Sequence, residues 1–444
     1  MLSTVPRLVA LALFAVVFAV FLALPVAPAR SAETATPDDT ARFLAGLPPA
    51  PNSPLAALAK DPGWAQHAHF FDTIFSREDA STLAKVRAFA KENLPQHHDT
   101  MLYMFSGPDF LYATSFFPSA STYVLSGLEP VGDVPQLTSL PRGAVDASLR
   151  NMEGSLATIL NLSFFITKNM KTQLTTGPVY GTLPILYVFL ARTGKTIKAV
   201  NFVTLDADGN VQTVDESGDA NAARTAVRRA AQSTTSGVKI VFSEGGHASQ
   251  TLYYFSTNLA DDGVKRSGFL AFCDKLGPAD SFIKSASYLL HGGGFARTRA
   301  FLLDHSATIL QDDSGIPLAY FDAKKWRLHP FGHYVGPISI FPGSYQTGMA
   351  QLFRNATPID FGLGYRWRKS ESNLLLAEKT APGAGEAELT PHSPLDRDRQ
   401  GTDAQTPDSA KTTAESSRSR RKHVQEVAKT CRGWGIFSFC SRRR

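Results

Sequence analysis

Seventeen consecutive apolar residues, Leu8–Leu24, remove the start of this chain from anything that can fold as part of a water-soluble core. They follow the positive Arg7 and run into Pro25 and a small-residue exit, Ala27-Pro-Ala-Arg-Ser-Ala32. That layout reads residues 1–32 as a secretory signal, cut after Ala29 or Ser31. The run is also close to the minimum length for a membrane span, so an uncleaved N-terminal anchor is the alternative. Either way the rest of the chain is expected outside the cytoplasm, periplasmic or secreted, or else membrane-anchored by this segment.

Three further segments follow from composition. Residues 33–61 are rich in Ala and Pro and read as a linker, or an arm lying on the surface. Residues 62–378 hold enough apolar sequence for one globular domain. Residues 379–444 lose nearly all large apolar side chains before Trp434-Gly-Ile-Phe-Ser-Phe439 and read as a disordered basic tail. The tail from Ala381 carries 12 Lys/Arg against 8 Asp/Glu, and Arg7 and Arg30 account for the rest of the formal +6. The middle of the chain is therefore neutral, which argues against a nucleic-acid-binding domain. Basic residues beside aromatics in the tail suit an anionic lipid surface or acidic polymer, so membrane contact is possible there as well as through the N-terminal segment.

Within 62–378 both periodicities occur. Helical spacing runs through Arg77–Asn93, Ala144–Met170, Ser281–His291 and Phe295–His305. Strand composition marks Met101–Phe105, Ser121–Leu125, Lys198–Leu205, Lys239–Phe242 and Thr251–Ser256. The mixture predicts an α+β domain, with α/β as the alternative.

Several catalytic patterns are incomplete. Gly194-Lys-Thr196 lacks the upstream glycine of a phosphate loop, where Phe189 stands. His291-Gly-Gly-Gly294 has the form of an oxyanion-hole segment, but no Gly-x-Ser-x-Gly accompanies it. Ser281-Phe-Ile-Lys284 has Ser-x-x-Lys spacing without its companion elements, and reads as a helix start with Ser281 near the cap and Lys284 in solvent. Thr204–Asp215 approximates a calcium loop but lacks the acidic first residue and the final Glu, so it reads as a hairpin turn. Cys273 lies among apolar neighbours and is expected to be a buried, inert thiol. Cys431 and Cys440 can pair in an oxidising compartment.

Two clusters remain. Asp304–His333 contains Asp312-Asp313-Ser314, with His305, His329 and His333 nearby in sequence. Two adjacent carboxylates can hold a hard cation or supply a general base, and imidazoles can assist. This predicts Asp312, Asp313 and His305 as catalytic, Asp312 and Asp313 as metal ligands, and Ser314, His329 and His333 as binding residues. The same turn chemistry is also what a purely structural loop uses. The second cluster is Phe105-Ser-Gly-Pro-Asp-Phe-Leu-Tyr112, where Ser106, Asp109 and Glu129 can line a pocket walled by Phe110, Tyr112 and Phe116, suited to a sugar or acyl chain.

Phe105-Ser-Gly-Pro-Asp-Phe110 together with Ile309-Leu-Gln-Asp-Asp-Ser-Gly-Ile-Pro317 resembles segments of an exported bacterial protein family of unknown function. The resemblance spans about Leu102–Glu378 and implies export and a single domain, with no activity attached. Because no catalytic set is complete, the expectation is a cell-envelope protein that binds a glycan, a lipid or a protein partner. The rival is a metal- or carboxylate-dependent hydrolase of an envelope polymer. The sequence leaves the cofactor and the identity of any metal unspecified.

Overall fold

In the computed structural model, residues 34–94, 98–162, 179–214, 235–246 and 248–380 are described. The signal segment, most of the tail and the Cys431–Cys440 pair lie outside the described residues. The chain runs through α1 (Pro37–Leu44), α2 (Pro62–Glu78), a π-helical turn (Asp79–Leu83), α3 (Ala84–Asn93), β1 (Thr100–Tyr103), α4 (Phe110–Phe116), β2 (Thr122–Gly127), α5 (Arg142–Leu162) and α6 (Leu183–Arg192). It continues through β3 (Lys195–Leu205), β4 (Val211–Thr213), β5 (Thr235–Glu244), β6 (Gln250–Ser256), α7 (Asp261–Ser267), α8 (Phe269–Lys275) and β7 (Ala279–Ile283). It ends with α9 (Ala296–His305), β8 (Ser306–Gln311), β9 (Trp326–Gly332), α10 (Thr347–Leu352) and β10 (Asn373–Lys379).

All ten strands join one mixed sheet in the order β4-β3-β5-β6-β2-β1-β7-β8-β10-β9. The predicted α+β class holds. The five central strands, β6-β2-β1-β7-β8, are parallel, and antiparallel strands extend both flanks.

Strand alternation divides the core into two layers. Tyr103, Tyr123, Leu125, Phe282 and Leu310 pack with α1–α6 on one face. Leu102, Val124, Ile283 and Ile309 pack with α7–α9 on the other. The connection β1–α4–β2 moves one way across the sheet on the first face, and β7–α9–β8 moves the other way on the second. Right-handed crossovers require this pairing of direction and face. The strand order therefore reverses between β1 and β7, and the loops leaving their carboxyl ends part in opposite directions.

Two expectations are revised. Residues 33–61 are not a linker: Thr36 caps α1, and Phe43 and Leu44 are fully buried, with Phe43 stacked 5.7 Å from Trp64. Burying such side chains stabilises by about 1.5–3 kcal/mol each, which holds this segment in the core despite its prolines. Ser281–His291 is not a helix. Its first half is β7, hydrogen-bonded on both sides within the parallel sheet, so tertiary pairing overrides local spacing. Strands β8, β9 and β10 went unforeseen. β9 carries Pro330 in mid-strand and is tolerated because it is the sheet edge. Helix α5 is described only to Leu162, so the rest of the expected Ala144–Met170 helix falls outside the described residues. The Thr204–Asp215 hairpin turn is present: β3 pairs with β4, and Asp206 accepts from the N–H groups of Asp208 and Asn210. Cys273 is buried, and burial pushes its thiol well above its ordinary range.

Candidate functional site at the carboxyl edge of the sheet

The loops after β1, β7 and β8 meet at the point where strand order reverses. Alternation places Lys284 and Asp312 on the same face as Phe282 and Leu310, one step beyond the strands. Lys284 is not in solvent. Its ammonium lies 2.7 Å from Asp109 Oδ2, each side chain is 2% exposed, and it sits 3.8 Å over the Tyr112 ring. Ser281 is three residues earlier, so it faces away from Lys284 and contacts Ser306 Oγ at 2.7 Å instead. The Ser-x-x-Lys spacing thus falls on a strand, where it separates the two side chains instead of pairing them.

Asp109 is fixed from both ends. Its Oδ1 accepts from Tyr112 N–H and caps α4, while Oδ2 accepts from Tyr103 O–H at 2.8 Å. Tyr112 O–H in turn donates to Glu78 at 2.8 Å, on the last residue of α2 before the π turn. Such turns gather at functional positions in helices. Burial lowers the Lys284 ammonium below its usual range, against the opposing pull of Asp109, Asp312 and Glu78. Burial raises the Glu78 carboxyl, against the Tyr112 hydrogen bond and Lys284. Asp312 is pushed up to about 6, first by burial and then by the charge of Asp313, against hydrogen bonds from Ser314 and Ser285.

Asp313 turns the other way, into the segment 333–372 that joins β9 to β10 and lies over this edge. Arg366 grips it with two N–H groups, Nε at 3.0 Å from Oδ1 and Nη2 on Oδ2, and also donates to Gly336 O. Tyr288 O–H donates to Asp313 Oδ2 at 2.8 Å and accepts from Ile338 N–H. Ser287 and Tyr365 bond through their hydroxyls at 2.7 Å. The segment is thus tied down as a cap, with Arg366 as its main anchor. Burial works against the Arg366 charge, but the Asp313 bonds outweigh it and hold the guanidinium above its ordinary range.

The predicted site residues divide accordingly. Asp109, Tyr112, Asp312, Asp313 and Ser314 gather at this edge, all buried. Ser106 is also buried here, but its hydroxyl bridges the ends of β1 and β2, donating to Gly107 O and accepting from Ser126 N–H. Phe110 and Phe116 are core residues, not pocket walls.

The histidines do not join. His305 precedes β8 at the opposite edge, about 20 Å of strand away from Asp312. There its ring stacks on Phe301 and its Nε2 pairs with Asp274. His329 lies within β9 and bonds Glu378 at 2.8 Å, and His333 is exposed after β9. Asp312 and Asp313 do not share a metal cradle either. Asp313 is taken by Arg366 and Tyr288, Asp312 by Ser285 N–H and Ser314, and among the described residues no group of three His, Cys, Asp or Glu side chains is placed to hold a metal ion. Lys284, Arg366, Tyr103 and Glu78 were missed. The one sequence signal for Lys284 was its place two residues after Phe282, on the inward face of a strand read as a helix.

Four non-glycine residues at this edge adopt left-handed backbone, Phe105, Ser285, Ser287 and Tyr288. Such conformations cost about 1–3 kcal/mol each and concentrate where ligands are held. The same edge carries buried polar atoms with no hydrogen-bond partner among the described residues: Ser126 Oγ, Thr257 Oγ1, Ser285 Oγ, His291 Nε2, Gln346 Nε2 and Ser372 Oγ. It also carries Leu128, Val335, Ile340, Tyr345 and Trp367, five of the seven exposed large apolar side chains among the described residues. Polar groups seeking partners and an apolar rim therefore share one face.

Comparison of the chain with known protein families, with curated proteins and with solved structures finds no match. Among the described residues no helix is long and apolar enough to cross a membrane.

Proposed function

We propose that this is an exported cell-envelope protein that binds an amphiphilic ligand, a lipid or lipid-linked glycan, at the carboxyl edge of its sheet. The observation that carries the reading is the coincidence on one edge of unpartnered polar atoms within and exposed apolar side chains on the rim. A polar head fits the first and an acyl or prenyl chain the second. The N-terminal apolar segment and its small-residue exit support the envelope location. Trp367 and Tyr345 are 44% and 56% exposed, on the cap that carries the edge. Replacing both with Ala is expected to weaken co-sedimentation with vesicles of envelope lipid at least about tenfold, with the melting temperature unchanged. Equal binding by wild type and variant, or no binding of any lipid or glycolipid, overturns the reading.

A second reading is a carboxylate-dependent hydrolase of an envelope polymer. Asp312 favours it, since a carboxyl held at about 6 exchanges a proton near neutral pH. In this reading Asp312 is the base and Lys284 the neighbouring cation. His305, His329 and His333 take no part.

A further inference from the structure

Glu129 is 6% exposed, two residues beyond the end of β2, and its carboxylate makes no ion pair or hydrogen bond among the described residues. Neither of its oxygens is among the fully enclosed unpartnered atoms, so the carboxylate keeps an open side from which a ligand can reach it. The buried lysine of this edge is already engaged, because Lys284 is held by Asp109. Along this edge Glu78, Asp109 and Asp312 face one buried lysine, Arg366 is taken by Asp313, and Arg299 donates to the Leu290 and Gly292 carbonyls, which leaves Glu129 as a further acid. The edge therefore holds more buried acid than base.

The surroundings of Glu129 are built for close approach. A Cβ added to Gly127 would lie 2.5 Å from Glu129 Oε2, 3.0 Å from Gly107 Cα and 3.0 Å from Tyr254 Oη. The bare backbone of Gly127 thus lies directly against the carboxylate, with the loop after β1 close on its other side. Tyr254 O–H donates to the Glu129 carbonyl at 2.9 Å, which holds the residue in place and leaves the phenol oxygen able to accept. The groups gathered here, a carboxylate and a phenol oxygen, are acceptors. A divalent cation needs more oxygen ligands than one carboxylate and a phenol supply. A primary ammonium, with three N–H donors and one positive charge, matches both the chemistry and the charge excess.

We infer that Glu129 is the counter-charge of a binding subsite for a primary ammonium group, carried by the polar head of the ligand. The inference rests on the carboxyl edge being the ligand face, and it specifies the head group that face takes. An amino sugar and an ethanolamine headgroup both present that ammonium.

The test uses the full chain and two matched pairs of probes. Glucosamine is compared with N-acetylglucosamine by titration calorimetry, and vesicles containing phosphatidylethanolamine with vesicles containing phosphatidylcholine by co-sedimentation. The second member of each pair lacks the ammonium N–H donors. One primary-amine probe is expected to bind about tenfold or more tightly than its partner, and Glu129→Gln is expected to abolish that preference. The sugar pair responding alone identifies an amino sugar, the vesicle pair alone a lipid headgroup. Equal binding within both pairs overturns the ammonium subsite while leaving the amphiphile reading standing. Absence of binding by all four probes and by envelope lipid removes both. Glu129→Gln is also expected to melt no lower than wild type without ligand, since the carboxylate makes no bond within the described residues that the amide would lose. A lower melting temperature would show that the carboxylate is satisfied within the protein, and would overturn the inference.

Discussion

Lys284→Ala is expected to destabilise the protein by about 3–5 kcal/mol, the usual result of removing one partner from a fully buried ion pair. Asp109 is 2% exposed, so its charge cannot turn to water when the ammonium goes. It would keep only the Tyr103 hydroxyl and the Tyr112 N–H. Tyr112 would lose the cation on its ring, and its hydroxyl links on to Glu78. The loss therefore reaches α2, α4, β1 and β7 together. Urea unfolding reads the effect directly. Lys284→Met combined with Asp109→Asn separates charge from packing, because it removes both charges and keeps most of the volume. The double variant should be more stable than Lys284→Met alone, with a coupling energy above about 1 kcal/mol. A loss below about 1 kcal/mol for Lys284→Ala would mean that the pair is solvated and the centre is not the closed cluster described.

The same lysine shows what was legible in the chain and what was not. Strands β1, β2, β3, β5 and β6 were readable because their β-branched and aromatic residues are dense and bounded by turns. Helices α3 and α5 were readable from apolar spacing. β7 was not, because Ser281–His291 satisfies a helical count of apolar positions, and only its neighbours β1 and β8 decide otherwise. Once that segment is a strand, Lys284 moves from solvent into a buried ion pair at the edge. The Asp-Asp-Ser-Gly turn was legible as a polar loop. That its two carboxylates part, one to Ser285 and Ser314 and one to Arg366, was not, because Arg366 lies 53 residues away in sequence. The scatter of the histidines has a similar cause: His305 and Asp312 bracket a six-residue strand, and a strand separates its ends.

The Asp312 contribution to stability is expected to fall by roughly 3 kcal/mol as pH rises from 4 to above 6, and Asp312→Asn is expected to remove that contribution. The sign follows from the direction of the shift. Asp312 is raised from 3.8 to about 6 in the folded protein, so the folded state binds its proton more tightly than the unfolded chain does. The contribution is complete below about pH 4 and is lost as pH rises through about 6. Burial is the larger cause, since it disfavours the charged form, and the adjacent Asp313 adds repulsion. Asp313 stays fixed because Arg366 and Tyr288 hold it, so it acts as a standing charge against its neighbour. Glu78, also raised by burial, slopes the same way, and His291, lowered by burial, slopes the opposite way; both remain in the variant, so the difference between the two proteins isolates Asp312. Urea unfolding of wild type and Asp312→Asn at pH 4 and pH 7 measures the difference. Parallel pH dependence in the two proteins would show that Asp312 is ionised throughout. A cancelled slope would mean that the chain carries, at the reversal point of its sheet, a carboxyl that ionises just below neutral pH at a cost to the fold. The turn nevertheless uses both oxygens as acceptors, Oδ2 from Ser285 N–H and Oδ1 from Ser314, so its hydrogen bonds favour the same ionised form that burial and Asp313 oppose.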